Sequence, residues 1–150
     1  MDEPFVPEDF TAPLDFVGSG FRLEPLGSHH NERDYDAWMS SLDHIRATPG
    51  FPDSSWPSPM SLEENLADLV RHAQDFAERR GFTYSVLDGD DVIGCVYIYP
   101  SKESDRDAAV QSWVRTSRAA MDEVLFQAVK SWLHDDWPFE NVDYTGRDGM

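Results

Sequence analysis

Apolar and polar positions sort this chain into eight successive elements. Phe21-Arg22-Leu23-Glu24-Pro25-Leu26 alternates with a period of two, which predicts a strand closed by Pro25 and Gly27. From Asn31, a helix-capping residue type, Tyr35, Trp38, Met39, Leu42 and Ile45 fall on one helical stripe that Thr48-Pro49-Gly50 stops. Phe51 to Met60 holds three prolines and predicts a loop, with Trp56 positioned to line a cleft. Ser61-Leu62-Glu63-Glu64 is a capping box opening a second helix with Leu62, Leu66, Leu69, Ala73 and Phe76 at helical spacing, ended by Gly81. Phe82, Tyr84 and Val86 alternate as a strand, Asp88-Gly89-Asp90-Asp91 turns it, and Val92 to Tyr99 returns as a hairpin partner.

After a polar loop from Pro100 to Asp107 comes a strand (Ala108 to Arg115), a turn (Thr116 to Ala119) and a long helix. That helix has one apolar face of Met121, Val124, Leu125, Ala128, Val129, Trp132 and Leu133, and a last strand follows at Asn141 to Tyr144. A strand–helix–strand unit builds a parallel pair, whereas the hairpin supplies antiparallel ones. The fold class is therefore α+β, a mixed β-sheet flanked by helices. Residues 1–20 are Pro- and acid-rich and read as an N-terminal arm with a short edge strand at Leu14–Val17, leaving 21–150 as one domain.

Composition narrows the function more than the fold. With 150 residues and 40% hydrophobic content, the chain can bury one core unaided. A net charge of −17, from 29 acidic against 12 basic residues, opposes nucleic acid and anionic membranes, which bind through Lys and Arg. The same field favours cationic partners such as amines, and solubility alone explains it equally well. No apolar run is long enough to span a bilayer and no leader pattern opens the chain. The lone cysteine, Cys95, sits in an apolar strand pattern, which fits a buried thiol in a cytoplasmic protein.

Candidate chemistry is sparse. Asp88-Gly89-Asp90-Asp91 begins like a calcium loop, but the position that needs a bidentate Glu is Tyr99, so a hairpin turn is expected instead. His29, His30, His44, His72 and His134 are scattered without helical pairing, and no metal ligand set can be written from the sequence. There is no nucleophile elbow, phosphate loop or dinucleotide glycine pattern.

The order of these stretches resembles the GNAT N-acetyltransferase superfamily over roughly residues 20–145. Phe21 to Leu26 resembles its opening strand, and Val92-Ile93-Gly94-Cys95-Val96-Tyr97-Ile98 its third, where an Ile-Gly pair is frequent. Ala109-Val110-Gln111-Ser112-Trp113-Val114-Arg115 is similar to its fourth strand and Val124 to Leu133 to the helix that follows. The resemblance implies an acyl-CoA-dependent N-acyltransferase acting on a small or peptidyl amine. Acetyl-CoA would lie between the fourth and fifth strands, with its pyrophosphate on the turn into the helix. The implied cofactor residues are Trp113, Val114, Arg115, Arg118, Ala119, Ala120, Met121 and Asp122.

The chain departs from the family at that turn. The family's Arg/Gln-x-x-Gly-x-Gly/Ala pattern falls on Ser117, Ala120 and Asp122, so a carboxylate takes the second glycine position. Asp122 and Glu123 would repel a pyrophosphate, and Arg118 offsets them only in part. The sequence runs six residues beyond Tyr144, whereas the family continues into a further helix and strand pair carrying the tyrosine acid. The expectation is that a second subunit supplies that wall, or that a homodimer or the N-terminal arm covers the remaining sheet edge. Catalytic residues are not identified: Asp107 or Glu103 acting through water are candidate bases, and no spacing selects either. Three readings stay open: the transferase, a non-catalytic binding or assembly domain, and a binder of another small ligand in the same gap.

Overall fold

A computed structural model describes residues 5–51, 56–103 and 105–147. Its elements are β1 (Phe16–Val17), β2 (Arg22–Pro25), α1 (Asn31–Met39), α2 (Leu42–Ala47), α3 (Leu62–Ala77), β3 (Phe82–Asp88), β4 (Asp91–Tyr99), β5 (Ala108–Val114), α4 (Met121–Asp136) and β6 (Val142–Tyr144). The strands form one six-stranded sheet in sequential order, antiparallel from β1 to β5. Strands β5 and β6, joined through α4, pair in parallel. The mixed α+β sheet expected from the patterning is what the chain forms. The loop expected from Phe51 to Met60 lies partly outside the described residues.

Strand alternation sends side chains to two separate cores. Leu23, Tyr84, Val86, Val96, Ile98, Val110 and Val114 face α4 and its Leu125, Phe126, Val129, Trp132 and Leu133. Cys95 and Trp113 face α1 and α2, where Ala37, Trp38 and Ile45 cover them. The segment before Gly18 joins the first core: Phe5 stacks on Phe82 and Phe139, and Phe10 lies 5.1 Å from the Trp137 ring.

The single helix expected from Asn31 to Ile45 is two. Ser40 turns its hydroxyl back to the Asp36 carbonyl at 2.7 Å, and the chain restarts as α2 after Ser41. Back-bonding of this kind offers the backbone an alternative to continuing the helix. Asn31 is not the side-chain cap of α1. Its amide instead donates to the Leu62 carbonyl at 3.2 Å and its oxygen accepts from Asn65 at 2.8 Å, tying α1 to the start of α3. The Ser61 capping box of α3 forms as expected. In α4, Val124 is partly exposed while Phe126 is buried, because Tyr144 comes up edge-on beneath Phe126 at 4.8 Å.

Gly94 is fixed by close approach rather than by its torsions. A β-carbon there would overlap the Trp113 carbonyl oxygen and press on the Val114 backbone. Gly94→Ala must therefore push β4 from β5, and we expect a loss of about 1–3 kcal/mol, read as a lowered urea midpoint. An unchanged midpoint would mean that the two strands are free to separate there.

Candidate functional site

Two places on β5 carry chemistry. The first is its outer edge. Pairing with β6 runs only from Ala108 to Val110, and the Thr145 N–H gives the last bond, to the Val110 carbonyl at 2.8 Å. Arg147 Nη2 then approaches the Ser112 carbonyl at 3.5 Å. The backbone groups of Ser112 and, by alternation, Val114 thus point away from β4 into the space beyond the end of β6.

Beyond Val114 the chain turns into α4. Arg115 N–H still donates to Ile93 O at 2.8 Å, and Thr116 N–H donates to the Ser41 hydroxyl at 2.8 Å. The predicted site residues separate here. Trp113 is buried on the opposite face, donating through Nε1 to the Tyr97 hydroxyl at 2.9 Å, and Val114 is buried toward α4. Arg115 reaches Asp36 at 3.2 Å and Arg118 reaches Asp88 at 2.8 Å. Ala119 and Ala120 complete the turn, with no side-chain cap at Ala120, and Met121 opens the helix.

Asp122 receives both guanidinium nitrogens of Arg147, at 2.7 and 2.8 Å. Arg147 is 5% exposed and lies over the rings of Phe126 and Tyr144, at 5.4 and 5.8 Å. Tyr144 in turn meets the Ser112 hydroxyl at 2.5 Å. From the sequence, Asp122 is offset only in part, by Arg118, and its partner Arg147 is missed. The available signal was one arginine just past the last strand of a strongly acidic chain, after a glycine (Gly146, φ +78°) able to turn it back.

The second place is a cavity of about 350 Å³ on the α1–α3 face, walled by Trp56, Tyr97, Tyr99, His72, Asp34 and Gln111 among others. Trp56 lines it as its loop position implied. At its base Asn65 is a buried hub, donating to Asn31 and to Asp34 (2.8 and 3.2 Å) and accepting from Trp38 Nε1 at 3.1 Å. Burial pushes the Asp34 carboxyl up to about 6, against the downward pull of the Asn65 bond and with a further rise from nearby Asp68. Higher up, Tyr99 donates to Asp75 at 2.8 Å and sits 2.8 Å from His72 Nδ1. None of Asp34, Asn65, Asp75 or Tyr99 stood out in the sequence, because each gains meaning only from partners far along the chain.

The candidate bases lie elsewhere. Asp107 accepts from the Glu140 and Asn141 N–H groups at 2.7 and 2.9 Å, which locks the approach to β6. Glu103 is exposed on the loop before β5. Cys95 is buried, and burial pushes its thiol well up, so it is not a nucleophile.

Glu24, His29 and His30 bring three potential ligand atoms within 4.8 Å of one another. Yet His30 Nδ1 accepts from Gly27 N–H at 3.1 Å, so its proton lies on Nε2, directed at Glu24 Oε2 2.6 Å away. A metal on Nε2 would need the deprotonated ring, and Arg22 already holds the other carboxylate oxygen. The trio is a hydrogen-bonded strut.

No family model matches the chain, and no curated protein matches it in sequence. Solved structures do. An acetyltransferase from Salmonella typhimurium that modifies the N-terminal serine of ribosomal protein L7/L12 aligns with 79% of this chain and 64% of its own, at 11% identity and TM-score 0.62. The ribosomal-protein-S5-alanine acetyltransferase of Vibrio fischeri aligns over 81% and 67%, at 14% identity and TM-score 0.60. Mycobacterium smegmatis RimJ, solved with CoA-disulfide, aligns over 81% and 60%, at 10% identity and TM-score 0.64. The fold is that of the GNAT N-acetyltransferases. The chain spans less than two thirds of the Salmonella protein's length.

Asp34 yields a pH test. Its folded value, about 6, lies above the ordinary 3.8, so the fold favours the protonated acid. The contribution is fully present below pH ~3.8 and is lost as pH rises through ~6. Asp34→Asn mimics the protonated form. Between pH ~4 and ~7 the wild type should lose on the order of 2–3 kcal/mol relative to the variant in urea unfolding. Parallel profiles would show that Asp34 stays ionised in the fold.

Proposed function

We propose that this protein is an acyl-CoA-dependent N-acyltransferase whose acceptor is a small or peptidyl amine. One observation carries the reading: β5 serves two sites at once. Its backbone edge at Ser112 and Val114 faces the gap left by β6, while Gln111 on the same strand walls the cavity. A donor laid along that edge and an amine held in the cavity would meet across one strand.

The residues present fit such a donor. The outward carbonyl and N–H groups of Ser112 and Val114 match the amides of a pantetheine arm, and the long Arg147 contact to Ser112 is readily exchanged. At the turn, Arg115, Arg118 and Arg147 are paired with Asp36, Asp88 and Asp122, and Glu123 adds one carboxylate beyond them. Arg147 cancels Asp122, and the part-exposed Arg118–Asp88 pair is weakly held and can yield to phosphate. Acetyl-CoA would supply its acyl group there as a thioester. Val114, Arg115, Arg118, Ala119, Ala120, Met121 and Asp122 form that side of the site in this reading, with Trp113 behind them, its side chain on the opposite face. A homodimer across the outer edge of β6, which pairs only with β5 among the described residues, belongs to the same reading.

A second reading, a non-catalytic GNAT-like binding domain, draws on the same ion pair. Asp122 and Arg147 occupy the start of α4 between them, where the family resemblance would put the pyrophosphate. Calorimetry and thermal shift with CoA and acetyl-CoA, together with mass spectrometry on an amine panel, separate the two. Ligand at ~100 Kd should stabilise the fold by about 2.7 kcal/mol. Asp122→Asn leaves Arg147 without its counter-charge and should tighten CoA about tenfold, whereas Arg118→Gln should weaken it. Absence of any shift at millimolar CoA overturns the transferase reading.

A further inference from the structure

Two side chains of the cavity wall, His72 and Tyr99, form a line with Asp75 behind them, and the tyrosine dictates where the protons lie. Tyr99 has a single hydroxyl proton, and it goes to Asp75 Oδ2, 2.8 Å away. Toward His72 the Tyr99 oxygen can then only accept, so the 2.8 Å contact requires the proton on His72 Nδ1. Thr83 Oγ1 lies 3.3 Å from the same nitrogen, on the sheet side. Nε2 is left with its lone pair, on the opposite edge of a ring that lines the cavity, and no group among the described residues bonds it.

The supports of this line are fixed in turn. Arg80 grips Asp75 Oδ1 at 2.9 and 3.2 Å. Burial raises the Asp75 carboxyl, but the bonds from Tyr99 and Arg80 outweigh it and hold it below its usual range, so it remains an acceptor. The rings of Tyr97 and Tyr99 flank the imidazole, at 5.7 and 6.0 Å between centroids. Around His72 stand Asp68, Arg71 and Asp75 from α3 and Tyr97 and Tyr99 from β4, with Asp34 of α1 also lining the cavity. Burial, then Arg71, hold the imidazole below its ordinary value, against the pull of Asp68 and Asp75. It is neutral at neutral pH.

We infer that His72 is the base that takes the acceptor amine's proton at Nε2, with Tyr99 and Asp75 as the residues that position it. The inference rests on the acyltransferase reading above. An alkylamine with pKa near 10 is almost wholly an ammonium at pH 7 and cannot attack. His72 Nε2 removes one of its three protons. The freed lone pair forms the C–N bond at the thioester carbonyl as the C–S bond breaks. A second proton leaves with the thiol and the third stays on the amide, while the proton on His72 passes to water. Orienting a base through a neighbouring hydrogen-bonded group is the general logic of activated sites.

The test uses the full chain. Nitrogen NMR of His72 should show the proton on Nδ1 in the wild type and a tautomer mixture in Tyr99→Phe. His72→Gln should lower kcat/KM for an alkylamine by about 10²–10³-fold at pH 7, recover much of it near pH 10 where the ammonium loses its proton unaided, and bind CoA as before. A wild-type proton on Nε2, or an unaltered pH–rate profile in His72→Gln, overturns the assignment while leaving the transferase reading intact. If the wild type transfers no acyl group to any amine and CoA does not bind, the transferase reading fails, and the role of His72 as base falls with it.

Discussion

A strand cannot be paired along its whole length and also offer its backbone to something else. In this protein the constraint is met on β5. Parallel pairing with β6 lasts three residues, enough to anchor the strand–helix–strand unit, and then β6 ends at Tyr144. The α4 helix, packed into the core by Leu125, Phe126, Val129, Trp132 and Leu133, joins the two strands. What remains is an edge of outward carbonyl and N–H groups at Ser112 and Val114, beside the start of a helix. Everything proposed about function depends on that parting of strands.

Charge is managed locally within a strongly acidic chain. Of its 12 basic residues, ten are arginines, and those near the parting are each matched to a carboxylate: Arg115 to Asp36, Arg118 to Asp88 and Arg147 to Asp122. These pairs are not equivalent. Two involve exposed carboxylates and contribute little, on the order of 0–1 kcal/mol each. The third is bidentate, with its guanidinium buried between two aromatic rings, so breaking it strands a charge and costs far more. That contrast leaves Arg118 in a weak, part-exposed pair and turns Asp122 and Arg147 into a neutral unit.

The other face obeys a different rule. Asn65, His72 and Tyr99 are polar groups near aromatic rings, and each is bonded to a named neighbour, His72 through Nδ1 only. Their hydrogen bonds also fix proton positions. Asn65 holds Asp34 in place, and Tyr99 dictates which nitrogen of His72 carries its hydrogen.

The strands, the Ser61 cap, the Asp88–Asp91 turn and the parallel pair were all legible in the sequence, because two-residue and helical periodicity are local properties of the chain. The polar map of the sites was not. Of the predicted apolar stripe of α3, Leu69 is buried but Leu62 and Leu66 are exposed, while the polar Asn65 off that stripe is buried. Periodicity gives a face but not the direction it is turned. Ser40 and Ser41 broke a helix that the pattern made continuous, and Ser41 then capped a turn 75 residues away. Arg147 meeting Asp122, and Tyr99 meeting both Asp75 and His72, are encounters across at least 24 positions. Such pairings are decided when helices settle on the sheet. Local sequence therefore determined which elements form and the fold outline they follow, and tertiary packing alone decided which charges are cancelled and which nitrogen of His72 carries the proton.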